Sequence, residues 1–226
     1  TMRFGKIELV RNQWRKFQFE TDTQGQYVNL PVPDPVTLNT LAVNLEENDQ
    51  RDPINYVSPP GIERQQQLSN NNVQLLINEQ ALSLQFCGLP NKESRAVVKT
   101  MNMDMRQYGK MRMFIHAEGR GSDAAISDNS LTAIVRIGND FQGNYYEVRL
   151  PLKKTNWGET DSLRIWPELN NLDFDLQELT RLKSRRNLQS GTSPSVYYSE
   201  VLADGRTYAV LGNPNLGEVK GMMLAV

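Results

Sequence analysis

Residues 110–117, KMRMFIHA, alternate between two kinds of side chain and constrain the fold more than any other stretch. Met111, Met113, Ile115 and Ala117 fall on one face of an extended segment; Arg112, Phe114 and His116 fall on the other. A period of two marks a half-buried strand, because successive side chains on a pleated backbone point to opposite sides. The pattern returns at residues 131–137, LTAIVRI, and at 145–152, YYEVRLPL. Loops rich in Gly, Asn and Asp join the three runs, which predicts the centre of an antiparallel sheet.

Shorter alternating runs lie at residues 6–10, 14–19, 41–45, 73–77, 82–86, 95–99 and 163–166, the last closed by Pro167. Residues 22–26 read as a turn and 46–53 as a polar connection. The three prolines of 29–36, NLPVPDPV, each fix φ, so that segment reads as a stiff connector. Residues 64–72, RQQQLSNNN, read as an exposed loop, and 103–108 as a loop or helical turn. One helix is expected near 175–187. Asp175 and Glu178 have capping-box spacing, and Leu176, Leu179 and Leu182 line one face. Arg181, Lys183, Arg185 and Arg186 cluster toward its end, where cations complement the helix dipole. Gly191 and Pro194 stop it. Asp204-Gly205 between the runs 196–202 and 206–211 is a hairpin signal, and 219–226 reads as a last strand. Many short strands with a single helix predict a mainly β fold, an antiparallel β-sandwich rather than an α/β sheet. Residues 1–226 read as one domain, with 1–72 a less regular strand-and-loop N-terminal part.

The chain of 226 residues is 38% hydrophobic and 23% charged, enough to bury a core without metal or disulfide staples. A net charge of −1 argues against a dedicated nucleic-acid binder and against an electrostatic membrane anchor. The one cysteine, Cys87, excludes an intrachain disulfide. In an apolar strand it reads as a small buried hydrophobe. No apolar run is long enough for a transmembrane helix. Both ends fall inside strand patterns, so an excised piece of something larger is expected, and the missing leader does not argue for the cytoplasm.

Little chemistry stands out. His116 is the sole histidine, so a Ser-His-Asp triad would have to use it. Its place in mid-strand, and the lack of a G-x-S-x-G, make it a structural residue. One His and one Cys leave no His- or Cys-rich zinc site, and no phosphate-binding glycine loop is present. Asp123, Asp128 and Asn129 offer oxygens that suit calcium, although ordinary loop polarity accounts for them. Trp166 reads as packing. Trp157, in the turn 156–158, is the better exposed candidate for stacking on a sugar, with Trp14 a third tryptophan. Carboxylates are plentiful, but nothing singles out a pair. No catalytic residue, metal or cofactor is assigned, and no enzyme is expected.

Several segments resemble a known family: GKIELVRNQWRKF near the start, NYVSPPGIERQ at 55–65 and NEQALSLQFCGL at 78–89. DMRQYGKMRMFIHAE at 104–118, VRIGNDFQGNYYEVRLPL at 135–152, IWPELNNLDF at 165–174 and ADGRTYAVLGNPNLGEVKGMML toward the end continue the match in the same order. Together they resemble the SprA/Sov family of gliding-motility and type IX secretion proteins. The resemblance implies a fragment of a giant outer-membrane translocon built on a very large single-chain β-barrel. This stretch lacks the barrel signature of repeated lipid-facing strands with aromatic girdles. It looks instead like a soluble insertion folded as a jelly-roll, galactose-binding-like sandwich. Expected partners are accessory proteins of the secretion system and secreted cargo, not nucleic acid; a glycan is the alternative ligand, as for a carbohydrate-binding module of a surface protein. The parent would sit in the cell outer membrane, with this domain in the periplasm or on the extracellular face.

Overall fold

The computed structural model describes residues 14–21, 27–64, 66–68, 74–76 and 79–226. The expected strand at 6–10 and the turn at 22–26 lie outside them. Along the chain run β1 (Arg15–Lys16), β2 (Phe19–Thr21), β3 (Tyr27–Asn29), β4 (Thr37–Asn44) and the helical turn α1 (Leu45–Asn48). Then come β5 (Gln66–Leu68), β6 (Gln74–Leu76), β7 (Gln80–Cys87), β8 (Ala96–Met103) and β9 (Lys110–Met113). The second half holds β10 (Thr132–Gly138), β11 (Tyr145–Pro151), the turn α2 (Ser162–Ile165), β12 (Leu172–Asp175) and α3 (Leu176–Leu188). β13 (Tyr198–Val201), β14 (Thr207–Leu211) and β15 (Val219–Ala225) complete it.

Seven strands form one antiparallel sheet in the order β1-β8-β15-β10-β11-β14-β13. The fold is mainly β, as the alternation predicts. β10 and β11 are buried along nearly their whole length, so both of their faces are covered. Ala133, Val135 and Ile137 of β10 meet Tyr146, Val148 and Leu150 of β11 and Tyr208 and Val210 of β14 in the main core. Against that face pack Leu172 and Phe174 of β12 and the leucine stripe of α3. Leu176, Leu179 and Leu182 are buried, and each contributes roughly 2 kcal/mol on leaving water. The opposite face carries Ile134, Met223 and Ala225, with Ala96, Phe17 and Phe141 beside them. Phe141 lies so close over β15 that a Cβ on Gly221 would stand 2.4 Å from its ring, which explains the glycine. A third cluster joins Ile54 and Tyr56 to Ile165 and Trp166, with Val43, Ala81 and Phe114 around it.

Several expectations need correction. Residues 110–117 are not a central strand. Only Lys110–Met113 pairs, and its partner is the four-residue β12, outside the seven-stranded sheet. Beyond Met113 no partner strand continues, and Phe114 turns into the third cluster. Residues 163–166 form a helical turn rather than a strand, because the Asp161 carboxylate accepts from the Leu163 N–H and caps it. Leu163 is exposed, so the alternation there never marked a buried face. Part of the loop expected at 64–72 is strand β5, paired with β6. Asp175 does stand at the start of α3, but its side chain makes no cap hydrogen bond and Glu178 pairs with Arg181 instead. Cys87 is exposed at the end of β7, which among the described residues pairs only with β4. The hairpin at Asp204-Gly205 and the last strand form as read, with Gly205 at φ +84.

Candidate functional site

His116 stands where the third cluster meets the segment between β9 and β10. Its ring packs edge-on against Trp166, with centroids 5.8 Å apart. Nδ1 lies 2.9 Å from the Ile165 carbonyl and Nε2 lies 3.1 Å from Glu118 Oε2. Both neighbours are acceptors, so a ring carrying two protons satisfies both. With one proton, on Nε2, the Thr155 hydroxyl at 3.2 Å from Nδ1 donates the hydrogen. Arg51 grips Glu118 in a fork, Nη1 to Oε1 at 2.6 Å and Nη2 to Oε2 at 2.5 Å. Burial pushes the Glu118 carboxyl up, but hydrogen bonds from His116 and Arg51 outweigh it and hold the group down at about 2.

Thr155, His116 and Glu118 therefore stand in the order hydroxyl, imidazole, carboxylate that activates a nucleophile. Thr155 is 2% exposed, and its hydroxyl also reaches the carbonyls of Arg164 and Ile165. No face of it is offered to a dissolved substrate, and the cluster acts as a strut joining residues 51, 118, 155 and 165. Beside it opens a polar cleft of about 340 Å³ lined by Asp49, Arg51, Asn55, Gly158, Glu159 and Thr160. Trp157, next to Gly158, is 38% exposed as a residue, while Nε1 donates to the Gly119 carbonyl at 3.0 Å. Trp166 is packing, as read, with Nε1 bonded to the Val57 carbonyl.

The Asp123 and Asp128 carboxylates considered for calcium are engaged by the protein, and the Asn129 N–H donates to the Leu152 carbonyl. Asp123 accepts from Lys154 Nζ at 3.0 Å and from the Trp157 N–H, while Asp128 accepts from the Lys154 N–H. The adjacent lysine ammonium fills the role of the cation. Among the described residues no group of three acidic, His or Cys side chains is arranged to hold a metal ion.

A buried ion network escaped the sequence reading. Arg136 and Glu147 sit opposite each other in the β10–β11 ladder, both 0% exposed. Glu147 takes hydrogen bonds from Arg136 Nε, from Arg149 Nε at 2.6 Å and from the Tyr197 hydroxyl at 2.7 Å. The Arg136 guanidinium also lies 3.8 Å from the centre of the Tyr145 ring. Burial pushes Glu147 up, yet the two arginines win and its carboxyl stays lowered. The signal was present in the sequence: Arg136, Glu147 and Arg149 interrupt runs otherwise apolar enough for the middle of a sheet. Arg95 is held the same way, by Asp34 and Glu93.

The basic residues of α3 divide into two pairs. Arg181 and Arg185 are exposed and bridge to Glu178 and Glu200. Lys183 and Arg186 turn toward residues 212–215, and Arg186 is 1% exposed.

These features are spread through the described chain, and comparison with known proteins gives their context. No curated protein matches the chain. A family model described as "motility related/secretion protein" matches residues 1–226, and the chain belongs to that family, SprA_N.

Proposed function

We propose that this domain is a non-enzymatic structural and docking domain of an outer-membrane protein-secretion translocon of the type IX, gliding-motility kind. It shapes the surroundings of the pore or contacts cargo and accessory proteins. The family match over residues 1–226 carries this reading. The engagement of the conspicuous polar groups with one another supports it: His116, Glu118, Asp123 and Glu147 each hold protein partners. We read the architecture as a jelly-roll-like sandwich, in which α3 and the β9–β12 ladder form the layer over the large sheet. The parent sits in the outer membrane, and this domain faces the periplasm or the exterior.

An in-frame deletion of the domain from the parent protein tests this. Cargo export should fall while the parent still reaches the membrane; normal export by the deletion strain would sink the proposal.

The partly exposed Trp157, adjacent in the chain to Gly158 of a cleft of amide, carboxylate and hydroxyl groups, favours a second reading, a glycan-binding surface. Glycan-array hits lost in Trp157→Ala support it, and an array without hits disposes of it.

A further inference from the structure

Ion pairing is the rule in the interior of this domain, and one buried cation departs from it. Arg95, Arg136 and Glu147, each no more than 3% exposed, all stand in ion pairs. Arg186 is equally buried, but its contacts are neutral. Nη1 donates to the Gly212 carbonyl at 2.8 Å. Nε and Nη2 both donate to the Asn187 amide oxygen, at 3.1 and 3.0 Å. One turn earlier on α3, Lys183 Nζ donates to the Pro214 carbonyl at 2.9 Å, as does the Tyr146 hydroxyl at 3.3 Å. Among the described residues neither cation makes an ion pair with a carboxylate, and the one acidic group beside Arg186 is the Tyr146 phenol. Burial lowers the pKa of both, and Arg186 lowers that of Lys183 further.

The Nε/Nη2 edge of a guanidinium is the fork that a carboxylate fits with two parallel hydrogen bonds. Here a single amide oxygen from an exposed side chain occupies it. Asn187 is thus a neutral cap over a positive site. The opposite wall is rigid. Gly212 has φ +69, and a Cβ there would lie 1.7 Å from the Gly143 carbonyl oxygen. The Asn213 N–H is tied to Asn144 and the Asn215 N–H to Asn139. Residues 212–215, GNPN, therefore aim two carbonyls at two cations.

We propose that Arg186, Lys183 and the 212–215 loop form a carboxylate-binding site for an acidic segment of a partner polypeptide, with Asn187 as its displaceable cap. The incoming carboxylate takes the guanidinium fork and Lys183 supplies the second charge. A hydrogen bond to a charged group, made where water is partly excluded, gives such a site specificity for carboxylate over amide. This rests on the docking reading above, but its test is binding by the 226-residue chain. Failure here leaves the export assay untouched.

The probe is a blocked peptide of alternating Gly and Glu, titrated at fixed ionic strength against its Gly-Gln counterpart. Nuclear magnetic resonance follows the Arg186 Nε–H and the Asn187 side-chain amide. The Glu peptide should shift both signals together and saturably, and the Gln peptide should not. Lys183→Gln should weaken binding at least about tenfold. Asn187→Asp should fill the fork from within, abolishing peptide binding and raising the melting temperature. Equal shifts from the Gln peptide, no saturable shift, or unchanged affinity in Lys183→Gln would overturn the proposal. So would a response to anionic lipid vesicles without one to the peptide.

Discussion

Glu118→Gln removes one carboxylate from the strut that joins residues 51, 116, 118 and 155, and the structure fixes both the size and the pH window of the effect. Hydrogen bonds from His116 and Arg51 hold the Glu118 carboxyl at about 2 instead of 4.5. At about 1.4 kcal/mol per tenfold change that fall corresponds to about 3 kcal/mol. The Glu118 and Arg51 side chains are 21% and 29% exposed, and screening by water trims the figure to about 2 kcal/mol. A carboxyl held below its unfolded value contributes stability that is fully present above about pH 4.5 and lost as the pH falls toward 2. Glu118→Gln should therefore cost about 2 kcal/mol at pH 7, or about 4–8 °C in melting temperature for a chain this long. The gap between wild type and variant should close on acidification to about pH 2. Urea unfolding followed by circular dichroism across that range measures it. An Arg51→Met background should shrink the difference without abolishing it, since the fork is then gone and the His116 hydrogen bond remains. If wild type and Glu118→Gln lose stability in parallel from about pH 5 to 2, Glu118 is not the held group and the reasoning fails.

Glu147→Ala takes away the carboxylate that Arg136 and Arg149 share at a site with no exposure, and should cost about 3–5 kcal/mol in urea unfolding. Gly212→Ala should cost at least about 3 kcal/mol, because its Cβ would strike the Gly143 carbonyl; Gly205→Ala, with the same sign of φ but open space, should cost about 1 kcal/mol. Asp175→Ala should lower stability by less than about 0.5 kcal/mol, below the loss of about 1 kcal/mol usual for a capping residue, since its side chain caps nothing. Cys87 should react stoichiometrically with an aromatic disulfide reagent in the native protein; reaction only after denaturant is added would contradict its exposure.

The fold was legible where alternation and burial coincide. In β10 and β11 every second residue meets the main core, so a period of two in the sequence is a period of two in space. α3 was legible for the same reason, through its leucine spacing. Residues 163–166 show the limit. Leu163 and Ile165 alternate as a strand would, but the deciding group is the Asp161 cap two residues before Leu163, and short apolar runs carry no signal of their own. The strut around His116 was not legible, because its members are adjacent only after folding: Arg51 and Glu118 are 67 positions apart, and His116 and Ile165 are 49. Arg186 was misplaced with its exposed neighbours because helical spacing puts it on the side of Leu179 and Leu182, and a charge on a buried face looks in sequence like any other charge.

The position of β15 has a consequence for how the domain comes into being. The last strand lies in the middle of the sheet, hydrogen-bonded to β8 on one side and β10 on the other. A polypeptide delivered amino end first, from a ribosome or through a channel, leaves those two neighbours with a gap between them until residues 219–225 arrive. The domain cannot be closed piecemeal in the order of its delivery. It locks in one late step, and until then a helper that shields the open slot would keep stray strands from taking the place of residues 219–225.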